Sequence, residues 1–223
     1  MAYLRRKLLL NKIFSLWATN ILVEVAPPEI NEHFISEILA IGEEYESSHP
    51  EAHVPHYMRK SKESAYNLLA DDRGSCQTYK AMLKSRMIEL AQAEGFINPE
   101  EVQFEAITSL RKFGAGEYAK PHNHRSVDYV AVLWLSLEIT DFPNNNTHQK
   151  PAGNRLHIID PIASRSRLLN HNMLFPVSPR VGTFLIHPAS TFHTSEVNLG
   201  SEDTIALVTN IKIIESVRNY VTL

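Results

Sequence analysis

The sequence predicts an α+β chain that is mainly β: an antiparallel sandwich or jelly roll with a mostly helical layer packed on its outside. Three observations carry this. From about residue 101 to 215 the chain is a succession of segments rich in β-branched and aromatic residues, separated by turn-prone stretches and not by helices, which argues against a doubly wound α/β sheet. From about 27 to 97 the apolar residues instead recur at helical spacing. Hydrophobic residues make up 43% and charged residues 21% of the 223 positions, which is ordinary for a folded globular chain. No internal repeat is visible, and the whole chain, 1–223, reads as a single domain.

Taken in order, NKIFSLWATNILVEVA, residues 11–26, supplies one further strand to the sheets. Pro27-Pro28 then opens a helix whose apolar stripe is Ile30, Phe34, Ile38 and Ile41, and Gly42 is expected to end or loosen it. A shorter helical stretch is expected around 64–70. Tyr79, Met82, Leu83, Met87, Leu90 and Ala91 form the next stripe, with Gly95 placed as its C-terminal cap. Strands follow in VQFEAITSLRKF, YVAVLWLSLEI, NRLHIID, MLFPV, GTFLIHP and TIALVTNIKII. In the first of these Val102, Phe104, Ala106 and Thr108 alternate with polar neighbours, as a half-buried strand requires. DFPNNNTHQKPAGN, residues 141–154, is a long polar connection expected near the mouth of the sandwich.

The balance of 22 basic against 25 acidic residues, without a basic block, argues against a nucleic-acid partner. No stretch approaches the roughly 20 apolar residues of a membrane span. The opening MAYLRRKLLLNK breaks its apolar run at Asn11 and Lys12 and reads as folded chain, not a signal peptide. The single cysteine, Cys76, cannot close an internal disulfide. A cytoplasmic protein is the resulting expectation, and the sequon at Asn145 reads as a chance feature of a polar loop.

The chemistry concentrates in PHNHRSVDY. His122 and His124 stand two positions apart, so in an extended strand both imidazoles share a face. A third imidazole comes from His193, which follows a strand opened by Gly182 and closed by Pro188. Neutral imidazoles suit iron, zinc, copper and nickel. Asp128 is an alternative third ligand, or a carboxylate that orients one of the imidazoles through its other N–H. His187 is expected to line a cavity or pack, while His157 could point inward; either could replace one of the three.

Two segments resemble the Fe(II)- and 2-oxoglutarate-dependent oxygenases, notably bacterial and phage members with an HxH…H pattern. GEYAKPHNHRSVDYVAVLWL is similar to their first metal-binding strand pair, and PRVGTFLIHPASTFHTSEVN to their second motif. NKIFSLWATNILVEVAPPEINEHF is similar to their usual start. The resemblance implies a double-stranded β-helix (jelly roll), Fe(II), and 2-oxoglutarate as co-substrate, in a dioxygenase that oxidises an unidentified substrate. It also implies His122 and His193 as the first and distal metal ligands. His124 then stands where many relatives carry Asp or Glu. Relatives place Arg or Lys after the distal histidine, to pair with the far carboxylate of 2-oxoglutarate; here Thr204 falls at that position. Arg155 is the expected substitute, with Arg125 as another candidate, and Tyr118 is a further candidate contact for the co-substrate.

Two other readings compete. Gly116, His122, His124 and Asp128 mimic a cupin first motif, which would make the chain a cupin-like metalloenzyme that does not use 2-oxoglutarate. Alternatively it is a non-catalytic jelly-roll binding protein whose histidines are incidental.

Overall fold

A computed structural model describes residues 11–16, 19–48, 67–96, 98–138, 153–159 and 174–215. Its strands and helices run β1 (Asn11–Leu16), β2 (Thr19–Val25), α1 (Glu32–Ser48), α2 (Gly74–Ala93), β3 (Gln103–Phe113), β4 (Tyr129–Ser136), β5 (Leu156–Ile159), β6 (Leu174–Val177), β7 (Thr183–Pro188), β8 (His193–Ser195) and β9 (Thr204–Glu215). Single 3-10 turns lie at Leu68–Ala70 and Pro99–Glu101. The strands form a six-stranded sheet, β1-β2-β7-β4-β9-β3, and a three-stranded sheet, β6-β5-β8. Every pairing is antiparallel.

The sequence of β4, YVAVLWLS, explains the layering, because it is buried along nearly its whole length. A strand apolar on both faces must be covered on both. Tyr129, Ala131, Leu133 and Leu135 meet the helices, in one cluster with Phe34, Ile38, Tyr79, Met82 and Met87. Val130, Val132 and Trp134 face the other way, against Leu156, Ile158 and Val177 of the small sheet. β7 and β9 alternate in the same manner: Phe184, Ile186, Leu207 and Ile211 go to the helices, and Leu185 and Ala206 to the sheet–sheet interior. The expected helical layer outside a β sandwich is thus what forms.

Local chemistry sets the helix ends. Asn31 caps α1 by accepting the Phe34 N–H. α2 closes in a Schellman arrangement: Gly95 adopts φ +82°, its N–H bonds the Gln92 carbonyl, and Phe96 N–H reaches back to Ala91. Arg86 on α2 grips Glu24 on β2 through both carboxylate oxygens, at 2.6 and 3.0 Å, deep in the helix–sheet seam.

Several expectations are revised. Residues 11–26 give a hairpin of two strands, not one, paired from Asn11↔Glu24 to Leu16↔Thr19. Gly42 does not end α1, which continues to Ser48. The glycine marks a close contact: a Cβ at Gly42 would lie 1.9 Å from the Leu110 Cδ1, so Leu110 would have to turn aside to admit a side chain between α1 and β3. Of the stretch at 64–70 only the 3-10 turn at Leu68–Ala70 falls among the described residues. The opening residues, Asn145, His148, His171 and all of the polar connection except Gly153 and Asn154 lie outside them. No helix among the described residues is long and apolar enough to cross a membrane.

Candidate metal centre

β8 is only three residues long, HTS, and was not anticipated, yet it builds the site. It pairs with β5 so that His193 stands opposite Ile158, on the face turned to the sandwich interior. On its other edge His193 forms an isolated antiparallel bridge with His122. The two residues exchange N–H···O bonds of 3.0 and 2.9 Å. His124 is fixed separately, its N–H bonding the Ala189 carbonyl just after β7 at 2.9 Å. The histidine pair therefore lies on irregular chain pinned from two sides, and not on a regular strand.

The result is a cluster of three imidazoles. One nitrogen from each of His122, His124 and His193 lies within 4.8 Å of the others. Their ring centroids are 4.3 Å apart for His122–His193, 5.2 Å for His122–His124 and 5.3 Å for His124–His193. In each ring Nδ1 meets an oxygen: the Lys120 carbonyl at 2.7 Å, Asn210 Oδ1 at 2.7 Å and the Thr191 carbonyl at 3.2 Å. A carbonyl oxygen only accepts, so Nδ1 carries the proton and Nε2 is left with its lone pair. Second-side anchoring of this kind accompanies metal-ligating histidines and fixes both tautomer and ring orientation.

Electrostatics point the same way. Burial pushes the His193 imidazole far below the ordinary histidine range, and the neighbouring rings of His187 and His122 push it further. A neutral ring is the form that binds a cation.

A fourth imidazole adjoins the cluster. His187, on the interior-facing side of β7, is fully buried, with its ring centroid 4.7 Å from that of His193 in an edge-on arrangement. Its Nδ1 bonds the Pro188 carbonyl at 2.9 Å, and its buried Nε2 has no partner among the described residues. Desolvation by burial lowers its pKa to about 4, with the charges of His124 and His122 adding to the effect.

The other expected site residues are placed as follows. Asp128 is exposed and stands apart from the cluster: its Oδ2 accepts the Ile213 N–H at 2.8 Å. The orienting role expected of it is taken by Asn210. Thr204 is buried, its hydroxyl donating to Asn154 Oδ1 at 2.8 Å, and Asn154 in turn bonds Asn198. Arg155 immediately precedes β5, where Leu156 and Ile158 face the interior; by alternation Arg155 and His157 belong to the opposite face. His157 pairs there with Glu196 at 2.9 Å, and the buried Arg155 Nε has no partner among the described residues. Tyr118 is 45% exposed in the loop before His122, and Arg125 lies on an exposed turn.

Two residues escaped the sequence. Asn210 occupies an interior-facing position of β9, which a strict alternation count from Ala206 would have found; His187, expected to line a cavity or pack, holds the matching interior position of β7. Arg111 is the second. Its neighbours Leu110 and Lys112 both face α1, Lys112 by an ion pair to Glu46, so Arg111 takes the other face, in register with Ala206.

In overall fold the chain is similar to solved Fe(II) oxygenases. It matches a prolyl-4-hydroxylase from Pseudomonas putida at 12% identity and a TM-score of 0.52, over 86% of this chain and 87% of that one. An oxidoreductase of the 2OG-Fe(II) oxygenase family from Burkholderia pseudomallei matches at 11% identity and 0.53, over 86% and 84%. A prolyl hydroxylase from Trichoplax adhaerens, solved with a fragment of hypoxia inducible factor, matches at 10% and 0.50, over 86% and 83%. No family model and no curated protein matches the sequence. At such identities the likeness is one of fold.

Proposed function

We propose that the protein is a non-haem Fe(II)- and 2-oxoglutarate-dependent dioxygenase in which His122, His124 and His193 hold the metal. The observation that carries this reading is the convergence of three imidazole donors, each tethered through Nδ1, at the interior edge of a fold shared with solved 2OG-Fe(II) oxygenases. The strand orders support a double-stranded β-helix. β3, β9, β4 and β7 lie in one sheet, and His122, β8, β5 and β6 run in order through the other.

Iron with 2-oxoglutarate and dioxygen would supply the oxidising power; the chain's own residues would bind, orient and exclude water. Three neutral ligands leave a divalent cation its full charge, where a carboxylate ligand would cancel part of it, so the site would attract an anionic chelate strongly. For the far carboxylate of 2-oxoglutarate the interior side of β3 and β9 is the best-placed wall. Arg111 stands there beside the small Ala206, with Ser109 beside Val208. Thr204, at the end of that wall, would offer only a hydroxyl already engaged by Asn154. Arg155 and Tyr118 would need to reach the site from the outer face and the surface loop.

The three-imidazole set, and the neutral threonine where a cation was expected, are also what one rival would show: a cupin-like metalloenzyme that takes no 2-oxoglutarate. Anaerobic titration of the Fe(II) protein with 2-oxoglutarate separates the two. A weak visible charge-transfer band on addition of 2-oxoglutarate is the expected result. Iron binding without that band favours the rival. Absence of iron binding, or binding undiminished in His122→Ala and His193→Ala, leaves only a non-catalytic binding protein.

A further inference from the structure

The fourth imidazole has no place in the ligand set. Among the described residues the group whose nitrogens mutually approach within 4.8 Å is His122, His124 and His193, and His187 is not part of it. Nor does packing account for it. Its register partner across β4 is Val130, its alternation partner on β7 is Leu185, and both belong to the apolar interior cluster. An apolar or aromatic side chain would fill the same space without burying a polar atom.

The hydrogen bond from Nδ1 to the Pro188 carbonyl decides what Nε2 is. That bond uses the ring's proton, so Nε2 presents a bare lone pair. The ring as a whole lies in the sheet–sheet interior, edge-on to His193 with the two centroids 4.7 Å apart. Leaving such a buried acceptor unpaired is unfavourable, and among the described residues it finds no donor. A bare lone pair beside a cation site has two possible partners, the cation itself or a proton on something the cation holds. Exclusion from the ligand set leaves the second.

We infer that His187 Nε2 accepts a hydrogen bond from a protic oxygen ligand at the three-histidine metal site: a bound water, or the hydroxyl of an alcohol held against the metal. This rests on the metal-holding part of the function proposed above, and does not depend on 2-oxoglutarate. A hydroxyl oxygen on a cation is a stronger donor than a free one, so the bond discriminates between ligands that carry that proton and ligands that do not. Because His187 would touch the ligand and not the metal, it is a specificity residue for the oxygen bound there.

The test uses the full chain loaded with Co(II), followed through its visible absorption, and two chelating anions that differ in one proton. Glycolate offers a carboxylate and a hydroxyl; methoxyacetate offers the same chelate with the hydroxyl proton replaced by methyl. In His187→Phe, which keeps a flat ring of similar volume, glycolate affinity is expected to fall about tenfold, the scale of one hydrogen bond to a polarised donor. Methoxyacetate and Co(II) affinities should change less than about twofold on the same scale. His187→Gln, which can return an acceptor oxygen, should recover part of the glycolate preference, and it serves if the phenylalanine variant folds poorly. Equal losses for both anions, or no loss for either, overturn the inference while leaving the metal site intact. Loss of Co(II) itself in both variants makes His187 a ligand and also overturns it. Failure of the wild-type chain to take up Co(II) overturns the metal reading and this inference together.

Discussion

The two faces of the six-stranded sheet are built from the same strands and are chemically opposite. On the helix side the hydroxyls close on one another: Tyr79 hydroxyl meets Thr209 at 2.8 Å, Thr209 meets Thr108 at 2.8 Å, and they sit among buried apolar side chains. On the sandwich side one residue further along each strand, β9 presents Asn210 to His124, and β7 presents an imidazole whose Nε2 has no partner among the described residues. A protein can leave such a group unsatisfied only where something else holds the fold together. The helix-backed face supplies stability, and the other face is thereby left free for chemistry.

Substitutions test that division. The largest expected effect is on metal affinity: His193→Ala should weaken Co(II) or Fe(II) binding by well over about 100-fold, since losing even an orienting partner costs about 10–100-fold. Its melting temperature without metal should fall less than that of a helix-side core truncation, because the lost ring makes one hydrogen bond, to the Thr191 carbonyl, and crowds other imidazoles. A variant that melts much earlier while still binding metal would reverse the assignment of the two faces. Next comes Leu133→Ala on the helix side, where a fully buried leucine is lost. Denaturant unfolding should show a cost of about 2–5 kcal/mol, and the folded fraction should bind metal as before. Smaller again is Asn210→Ala. Removing the oxygen that holds His124 Nδ1 should weaken metal binding about 10–100-fold, with stability changed by about 1 kcal/mol. Isothermal titration with Co(II) alongside thermal melts reads both quantities.

The helix-backed face was legible in the sequence and the site only partly so, for a physical reason. Ile38, Tyr79 and Met82 announce themselves because burial against a single neighbouring layer imposes a period on the chain. His122, His124 and His193 were found by residue type and spacing, but how they meet depends on a bridge between a loop and the three-residue β8. A strand that short carries no periodic signal. Asp128 was a reasonable rival to His124 in one dimension; in three its carboxylate is spent on the Ile213 N–H. Arg155 looked like the nearest cation to the interior, yet alternation with Leu156 sets it on the far face of the small sheet. Gly42 misled in the opposite direction: its absence of side chain signals contact with Leu110, and not a helix end.

The smallest effect concerns whether the helix side stays closed when the other side changes state. Cys76 is fully buried in the helix-side cluster, and burial raises its thiol pKa to about 11. The reactive species is the thiolate. Since the folded pKa is raised, that species appears only as pH climbs toward 11. At pH 8 it is a fraction on the order of one in a thousand, and a buried one. An aromatic disulfide reagent at pH 8 should therefore label the native chain only as fast as it opens, and label it at once in denaturant. Adding Co(II) should leave the native labelling rate within about twofold if the helix side opens independently of the site, and should slow it in proportion to binding if the two faces open together. The first result keeps the faces as separate units; the second would mean that the histidine cluster, once filled, also clamps the layer that supports it.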